Sequence, residues 1–486
     1  MEKDIDESLK ISFNKVFWPL YILNGFQSVA YGAMIVLVVP LALIIWPNDP
    51  ADIHALEMGL IYTVLSWSGS FSGLVFGRLI DKYSRKKIII VISFFRGISM
   101  LILGFAARGG GFNTWIYFLI FIFIFGFFAG GSWPAINSLS NDVVPRDYRS
   151  RFFGVYQIVL NTTNIIGWLI ATLLFQTGFW RFFFWGIGLL ILLGGLVFAL
   201  NNEEPKRGAQ QEELYQVLKD DSIKYEFQID IKMMRKTMLS KTNIVALTEG
   251  IFTCILMSSL NFLILNYVQN PPYNLAPFSI GVFMVVFGLS GGLVGQLLLS
   301  RISDKIAMKD PVRRLPIIVI AIIGGLITFA LFFFLPWFPL TPEEGMNIAY
   351  IMKIPTMWLM GALFFTSRSI FSLYIVNQSP VIQQINLPEA QGQIVSWNQF
   401  LEQFGRGIGP LLCGVLLVFT NTNYQITVLI VCLCIVPGVI LWILATRWFP
   451  DDRKNIAKIL AERAEILNSK KDILREDIAK KSELSL

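Results

Sequence analysis

Five ionisable side chains lie inside long apolar stretches of this chain: Arg96, Glu249, Arg368, Glu402 and Arg406. On insertion scales, a charge costs about 2.5–3.5 kcal/mol at the centre of a membrane helix, so each residue of this kind is expected to have a function. The chemistry open to the five is the binding of a charged solute, the transfer of a proton, or neutralisation of one another.

Three of these charges have polar neighbours that suggest how they act. Asn398, Glu402 and Arg406 recur every four residues and form a polar stripe on one helical face, with Gln399 and Gln403 alongside. Glu402 and Arg406 can pair, which leaves open whether they hold a solute or neutralise each other structurally. Arg368, which two serines flank, is a candidate either to contact an anionic group or to partner an acid. Glu249 is predicted either to titrate or pair with Arg368, or to stabilise a helix interface.

The first apolar run carries uncharged hydrogen-bonding residues at spacings that place them on one helical face. They are Asn24, Gln27, Ser28 and Tyr31. Lipid offers these side chains no hydrogen-bonding partner. We therefore expect this face to line a cavity, and we expect Asn137, Thr253 and Asn261 from two other runs to join it.

The chain that positions these residues is too apolar for a soluble protein. Of its 486 residues, 55% are hydrophobic and 15% are charged, against about 25% charged in soluble domains; the mean hydropathy is +0.61. A membrane-crossing helix needs about 20 mainly apolar residues. Twelve runs qualify: 18–46, 57–79, 87–107, 113–139, 152–175, 178–200, 243–268, 276–299, 315–337, 349–378, 392–419 and 423–446.

Basic residues are distributed unevenly about these runs. If the twelve runs cross the membrane in turn, most of the 40 Lys and Arg residues lie in the two tails and in loops on one side. The positive-inside rule places that side in the cytoplasm. We therefore expect a multi-pass protein of the cytoplasmic membrane with both termini inside. The net charge of +7 then reports topology, and we expect no nucleic-acid partner.

Several chemistries lack the residues they need. The single histidine, His54, lies in a predicted outer loop, and the four cysteines lie within apolar runs. We therefore expect no metal site, no disulfide framework and no nucleophile–histidine pair. The phosphate loop GxxxxGK[ST] does not occur, which argues against ATP-driven pumping. The protein is predicted to be no enzyme and to need no cofactor, and a coupling ion, H+ or Na+, is left open.

A polar segment divides the runs six and six, and two loops echo one another across it. The second run ends in Gly77-Arg-Leu-Ile-Asp81-Lys82, and the eighth ends in Ser300-Arg-Ile-Ser-Asp304-Lys305. Repeats of this kind are typical of secondary transporters. The predicted units are an N-terminal six-helix bundle at 1–200, a cytoplasmic linker with an amphipathic helix at 201–242, a C-terminal six-helix bundle at 243–449, and an amphipathic tail helix at 450–486.

The first of these loops continues as Tyr83-Ser84-Arg85-Lys86-Lys87 and resembles the loop motif of the major facilitator superfamily, G-x-L-x-D-[RK]-x-G-[RK]-[RK]-[RK], with Ser84 at the second glycine. The resemblance implies an all-α membrane protein of twelve transmembrane helices in two pseudo-symmetric six-helix halves. It implies secondary active transport of a small organic solute by alternating access. The alternatives are an amphiphile or lysolipid transporter of the same fold, a facilitative uniporter, or a channel-like permease.

The resemblance also assigns roles to charges at the loops. Asp81, Arg85 and Arg149 occupy the positions of a charge relay that, together with Gly77, latches the outward-facing state in the family. Asp304 is the corresponding acid of the second half. The second latch is expected to be weaker, because the loop before the eleventh run has no Lys or Arg.

Other expectations follow from the family's architecture. Its first, fourth, seventh and tenth helices line the cavity, which favours Arg368 as a solute contact and a structural role for Arg96. Glycine ladders on the second run (Gly69, Gly73) and the eighth run (Gly291) are expected to pack along the interface between the halves. The family's antiporter motif is missing from the fifth run. The expected partners are a small-molecule or amphiphilic solute and membrane lipid. We expect a monomer whose tail helix either lies on a surface or mediates self-association.

The topology yields a first prediction. Cysteines introduced at Asp49 and Ser222 should react with a membrane-impermeant maleimide from opposite sides, because an odd number of predicted crossings separates them. Ser222→Cys should react from the cytoplasmic side. Labelling of both from one side would contradict the twelve-run topology.

Overall fold

The computed structural model describes residues 2–49, 54–143, 146–202, 204, 237–335, 337–387 and 390–483. Their side chains are described except at 2–16, 38, 81–82, 137, 141–143, 146–151, 153–154, 157, 391–393, 395 and 463–483. The regular structure in these ranges is helical, and they contain no strand. The all-α prediction is confirmed for this part of the chain.

The first half forms eight helices along the described ranges. They are α1 (Glu2–Val36), α2 (Val38–Ile45), α3 (Ala55–Lys82), α4 (Arg85–Leu103), α5 (Phe112–Ala129), α6 (Ser132–Val143), α7 (Arg146–Gln176) and α8 (Trp180–Asn201). α1 and α2 meet at a bend of 77°. Pro40 lacks the N–H that would bond the carbonyl of Val36, which accounts for the break. α5 and α6 form one crossing that is interrupted at Gly130 and Gly131.

The second half follows the same plan with two short additions. Its helices are α9 (Lys241–Gln269), α10 (Pro277–Lys309), α11 (Arg314–Phe334), α12 (Pro342–Met346), α13 (Ile348–Ile351), α14 (Pro355–Gln384), α15 (Gln391–Phe419) and α16 (Tyr424–Glu483). α10 contains two π-helical stretches, Met284–Leu289 and Gly295–Leu299. α16 continues from the last crossing into the tail without interruption.

Most of the predicted crossings are recovered as single helices. In the described ranges, 10 helices are long and apolar enough to cross a membrane, and the bent pair of α1 and α2 makes 11. The remaining predicted crossing is α4, which is less apolar because it carries Arg85, Lys86, Lys87 and Arg96. α4 nevertheless packs along α5 and α8 in the same bundle.

The outward surface of the bundle is apolar. Leu200 is 76% exposed and Phe419 is 81% exposed, and many other large hydrophobic side chains point away from the protein. A soluble monomer rarely exposes extended apolar surface. This surface therefore faces lipid, and the protein is a multi-pass membrane protein.

The glycine ladders pack inside each half, so the expectation that they line the interface between the halves is wrong. A Cβ on Gly69 would lie 3.2 Å from the carbonyl oxygen of Gly126 on α5. A Cβ on Gly291 of α10 would lie 2.4 Å from the carbonyl oxygen of Phe365 on α14. Small residues let neighbouring helices of one bundle approach closely, and sequence spacing does not reveal which neighbour that is.

The two halves meet chiefly where α3 lies against α15. Polar side chains of α3 donate hydrogen bonds to backbone carbonyls of α15: Thr63 Oγ1 to Gly407 at 2.7 Å and Trp67 Nε1 to Phe404 at 2.9 Å. Glycine permits this approach, since a Cβ on Gly59 would lie 2.5 Å from the carbonyl oxygen of Pro410.

A second contact between the halves joins α7 to α10. The side-chain oxygen of Gln176 accepts a hydrogen bond from the backbone N–H of Phe278 at 3.2 Å. We call this end of the bundle, where α2 ends and α3 begins, the sealed end. The other end, where α3 gives way to the loop before Arg85, is the basic end.

The close packing of α3 on α15 yields a second prediction. Gly59→Ala should lower the free energy of unfolding by about 1–3 kcal/mol, because the added methyl group overpacks the contact with Pro410. Gly77→Ala on the same helix is the control, since a Cβ there meets no atom within 4 Å. Thermal unfolding of the purified variants measures both. A larger loss for Gly77→Ala would contradict the packing account.

Candidate functional site

A polar cavity lies between the two halves and has two adjoining compartments. The first, of about 670 Å³, is lined by α1, α3, α4, α5, α6 and α15. The second, of about 350 Å³, is lined mainly by α9, α14 and α15. Tyr31 and Ser66 line both compartments. The first compartment reaches Arg78 near the end of α3 and Ser396 near the start of α15, so the cavity extends toward the basic end.

Arg368 lines the second compartment, as a solute contact would. Its Nη2 donates a hydrogen bond to the side-chain oxygen of Asn261 on α9, and its guanidinium carbon lies 4.9 Å from the centre of the Phe364 ring. Among the described residues, no carboxylate lies within 4.0 Å of Arg368. Its positive charge is therefore available to a solute.

Glu249 does not pair with Arg368. Its side chain is fully buried and accepts hydrogen bonds from Thr253 Oγ1 and, at 2.9 Å, from the hydroxyl of Tyr374 on α14. Glu249 thus joins α9 to α14 next to the second compartment, which Thr253 and Tyr374 line. Of the open alternatives, the position favours a group at a helix interface that remains close enough to the cavity to exchange a proton.

The prediction that Glu402 and Arg406 pair is wrong in this conformation. No N–O contact within 4.0 Å joins them, and Glu402 accepts a hydrogen bond from Asn398 Nδ2 at 2.7 Å. Glu402 leans toward α9, where a Cβ on Gly250 would lie 3.3 Å from its Cγ. Arg406 is exposed within the second compartment. Both side chains therefore line the second compartment, and Asn398 rather than Arg406 holds the acid.

The polar face of the first helix divides among several partners. Asn24 Nδ2 donates to the carbonyl of Leu20 in its own helix, and Ser28 Oγ donates to a carbonyl of α7, each at 2.8 Å. The side-chain oxygen of Gln27 accepts hydrogen bonds from α4 and α6. Tyr31 lines both compartments. A face that spans eight residues, from Asn24 to Tyr31, is long enough to meet several neighbouring helices as well as the cavity.

Arg96 has a place in the cavity that sequence reasoning missed. It lies on α4, lines the first compartment and is 4% exposed. Its Nη1 donates to the side-chain oxygen of Gln27 and, at 3.2 Å, to Ser132 Oγ, and its guanidinium carbon lies 4.5 Å from the ring centre of Phe125. Gln399 and Gln403, which also line this compartment, were visible beside the polar stripe of the eleventh run. The sequence signal that could have revealed this position of Arg96 was Gln27, because a polar side chain in an apolar helix needs a hydrogen-bonding partner on another helix.

Some predicted residues lie outside the described side chains. They are Asn137, Asp81 and Arg149. Gly77 lines the first compartment. Asp304 accepts a hydrogen bond from Arg314 Nη2 at 2.8 Å, within the second half.

Arg85 is held within the first half by an acid that sequence reasoning missed. Its Nε lies 3.0 Å from a carboxylate oxygen of Glu204, which follows α8, and its Nη1 donates to the carbonyl of Ser138 on α6. The backbone N–H of Lys86 also donates to Glu204, as does the hydroxyl of Ser84, each at 2.7 Å. The carboxylate thus satisfies free N–H groups at the start of α4, where the helix dipole favours a negative charge.

Comparison with known proteins agrees with this architecture. The sequence model of the Major Facilitator Superfamily matches residues 17–410. The chain belongs to the major facilitator superfamily. It is therefore a transporter, and its fold and loop motif are those that the resemblance implied.

Two curated relatives match short parts of the chain. One is the "Multi-drug resistance efflux pump PmrA homolog" of Lactococcus lactis subsp. lactis (strain IL1403), 29% identical over 24% of this chain and 27% of that protein. The other is the "Na(+), Li(+), K(+)/H(+) antiporter" of Planococcus maritimus, 28% identical over 26% of this chain and 30% of that protein. The matches thus span less than a third of either relative.

Solved structures share the fold at low identity. A bacterial homologue of the human lysosomal transporter Spinster, inward-facing and unoccupied, has a TM-score of 0.63 at 16% identity and covers 90% of this chain and 98% of its own. The nucleoside transporter NupG has a TM-score of 0.61 at 14% identity and covers 88% of this chain and 98% of its own. At these identities the likeness concerns the fold alone.

The contact between Arg85 and Glu204 yields a third prediction. Partial burial raises the pKa of Glu204, but hydrogen bonds from Ser84, Lys86 and Arg85 outweigh it and hold the pKa below its usual value of 4.5. The carboxylate therefore stabilises the fold fully above pH 4.5, and this contribution is lost as the pH falls through the lowered pKa. Glu204→Gln should lower the unfolding temperature at pH 7, and the difference from wild type should shrink in acid.

Thermal unfolding of both proteins between pH 3.5 and 7 measures this effect. Glu343→Gln, at an exposed position of α12, is the control and should change little at any pH. If the difference in unfolding temperature between Glu204→Gln and wild type stays constant from pH 3.5 to 7, the role assigned to the Glu204 carboxylate is contradicted.

Proposed function

We propose that the protein is a secondary active transporter that moves a small organic solute across the membrane by alternating access. The observation that carries this proposal is the polar cavity between two helical halves. The cavity is closed at the sealed end by contacts of α3 with α15 and of α7 with α10, and it extends toward the basic end. A site reachable from one side only is what an alternating-access carrier presents in each of its states.

The contacts at the sealed end suit a reversible closure. They are hydrogen bonds between neutral side chains and backbone groups: the Thr63 hydroxyl donates to the carbonyl of Gly407, and the backbone N–H of Phe278 donates to the side-chain oxygen of Gln176. A hydrogen bond between neutral groups contributes a net of about 0.5–1.5 kcal/mol. A few such contacts can hold the end shut and can separate when the cavity closes at the other end.

The orientation follows from charge. The basic end carries the loops that the positive-inside rule assigns to the cytoplasm. In our proposal both termini lie in the cytoplasm, the protein lies in the cytoplasmic membrane, and this conformation faces inward. The monomer then suffices for transport, with lipid around it and no cofactor. A coupling ion, H+ or Na+, is compatible with the cation/proton antiporter among the relatives, and the candidate carboxyl groups are Glu402, which lines the second compartment, and Glu249, which is buried beside it.

An amphiphilic solute is the second candidate. Phe71 on α3 and Trp397 on α15 are each 51% exposed, and both rings lie within 6 Å of the Phe400 ring, which lines the first compartment. An aromatic rim of this kind suits a solute whose apolar part remains in the membrane. The Spinster homologue and NupG share the fold at similar TM-scores, so the likeness favours neither protein's solute.

The fourth prediction tests alternating access without knowledge of the solute. A Cβ on Gly281 of α10 would lie 3.2 Å from Thr172 Oγ1 on α7, so cysteines at Thr172 and Gly281 bring their side chains into contact and are the pair chosen for cross-linking. In a background free of native cysteines, Met257→Cys reports on the second compartment, which Met257 lines. Oxidation should stop an impermeant thiol reagent from reaching the reporter from the outer side, and access from the cytoplasmic side should persist.

Two controls accompany this measurement. Reduction should restore access from the outer side, and oxidation of Thr172→Cys alone should change nothing. If outer access persists at its full rate after cross-linking, the protein does not alternate between two states and a channel-like permease is the better description.

A further inference from the structure

The cavity has an excess of positive charge. Arg96 on α4, Arg368 on α14 and Arg406 on α15 all line it, and Glu402 is the one carboxylate among its described lining residues. None of the three guanidinium groups lies within 4.0 Å of a carboxylate in the described structure. With Glu402 ionised, these three arginines leave two uncompensated positive charges inside the cavity, and Arg78 adds a further positive charge at its mouth.

Arg96 shows the consequence most clearly. It is 4% exposed and its hydrogen-bond acceptors, on Gln27 and Ser132, are neutral groups. Its Nε has no hydrogen-bond partner among the described residues. A buried cation without a counter-charge is unfavourable, and an anion that reached it would be bound strongly for that reason.

The uncompensated cations belong to different halves. Arg96 belongs to the first half, and Arg368 and Arg406 belong to the second. Tyr31 lines both compartments, the first of which holds Arg96 and the second Arg406. Closure at the basic end brings the two halves together around this shared space. Like charges oppose that movement, and an anion placed between them favours it.

We propose that the solute is an organic dianion, a dicarboxylate or a phosphate monoester, that bridges Arg96 of the first half and Arg406 and Arg368 of the second. The proposal rests on the proposed transport function and names its substrate class. Two negative charges balance the two excess positive charges. Planar guanidinium groups bind carboxylate and phosphate oxygens in pairs. The compartments, of about 670 and 350 Å³, are of the size that small-molecule ligands occupy.

The mouth of the cavity supports the same substrate class. Arg78, which is exposed at the basic end and lines the first compartment, raises the local concentration of anions. The solute would be held by charge-assisted hydrogen bonds from both halves at once. Binding and closure at the basic end would therefore be coupled.

The test is the thermal unfolding of the purified full-length chain, at constant ionic strength, with matched pairs of probes. The dianions are succinate and glycerol 3-phosphate, and their neutral partners are succinamide and glycerol. Ligands that bind the native state raise its unfolding temperature by mass action. At least one dianion should raise it in a saturable way and its neutral partner should not.

Variants assign that effect to the cavity. Arg406→Gln should weaken the apparent affinity for the dianion about tenfold or more, since a hydrogen bond to a charged group is worth about 1.4 kcal/mol or more. Arg96→Gln should weaken the affinity to the same extent. Arg96→Lys, which keeps the positive charge, should retain part of the affinity and replaces Arg96→Gln if that variant fails to fold. Arg181→Gln is the control, because Arg181 donates to the carbonyl of Ala106 away from the cavity.

The outcomes separate this inference from the transport proposal. Equal stabilisation by the neutral partners, no stabilisation by either dianion, or stabilisation that survives Arg406→Gln and Arg96→Gln would each overturn it, whatever the disulfide experiment gives. Anion binding without alternating access would overturn only the transport proposal. Dodecyl phosphate, used below its micelle concentration, distinguishes an anion that enters from the membrane from one that enters from water. If the protein is stabilised more by dodecyl phosphate than by glycerol 3-phosphate, and Arg406→Gln abolishes that difference, the anion is drawn from lipid.

Discussion

Inside a membrane protein a charge must be compensated, because the surrounding hydrocarbon cannot solvate it. Each half of this chain compensates one arginine near the basic end with an acid of the same half: Arg85 with Glu204 at 3.0 Å and Arg314 with Asp304 at 2.8 Å. These contacts join helices within a bundle and favour its movement as one body. Arg96 and Arg368 of the cavity differ, since their neighbours are amides, a hydroxyl and aromatic rings.

In the described part of the chain, the contacts between the halves involve neither ion pairs nor unpaired arginines. At the sealed end, hydroxyl and indole groups of α3 donate to carbonyls of α15, and glycines bring the two helices close enough for this. No charge is buried there, so separation leaves polar groups that water or other partners can satisfy at modest cost. Firm ion pairs within the halves and weak neutral contacts between them suit two bundles that rock about a central cavity.

The sequence predicted the helices and their order because both depend on local properties. Length, apolarity and the basic loops identify crossings, and the loop at Gly77 identifies the family. Arg368 and Arg406 were recognised as candidates because a charge in an apolar run stands out. The two residues whose roles were missed, Arg96 and Glu204, depend on which helices are neighbours in space. The pairing of Glu402 with Arg406 failed for a different reason, since Asn398, one turn earlier on the same helix, donates to the acid instead.

The central claim is that an anion entering the cavity supplies the counter-charge that the two halves lack. The most direct measurement is an electron cryomicroscopy structure of the protein with a saturating dianion that stabilises it. The account predicts density for the anion within hydrogen-bonding distance of Arg96 on one side and of Arg406 on the other, with α3 and α15 closer together at the basic end than in the anion-free protein. Density that contacts neither arginine, or an anion bound outside the cavity, would contradict the account.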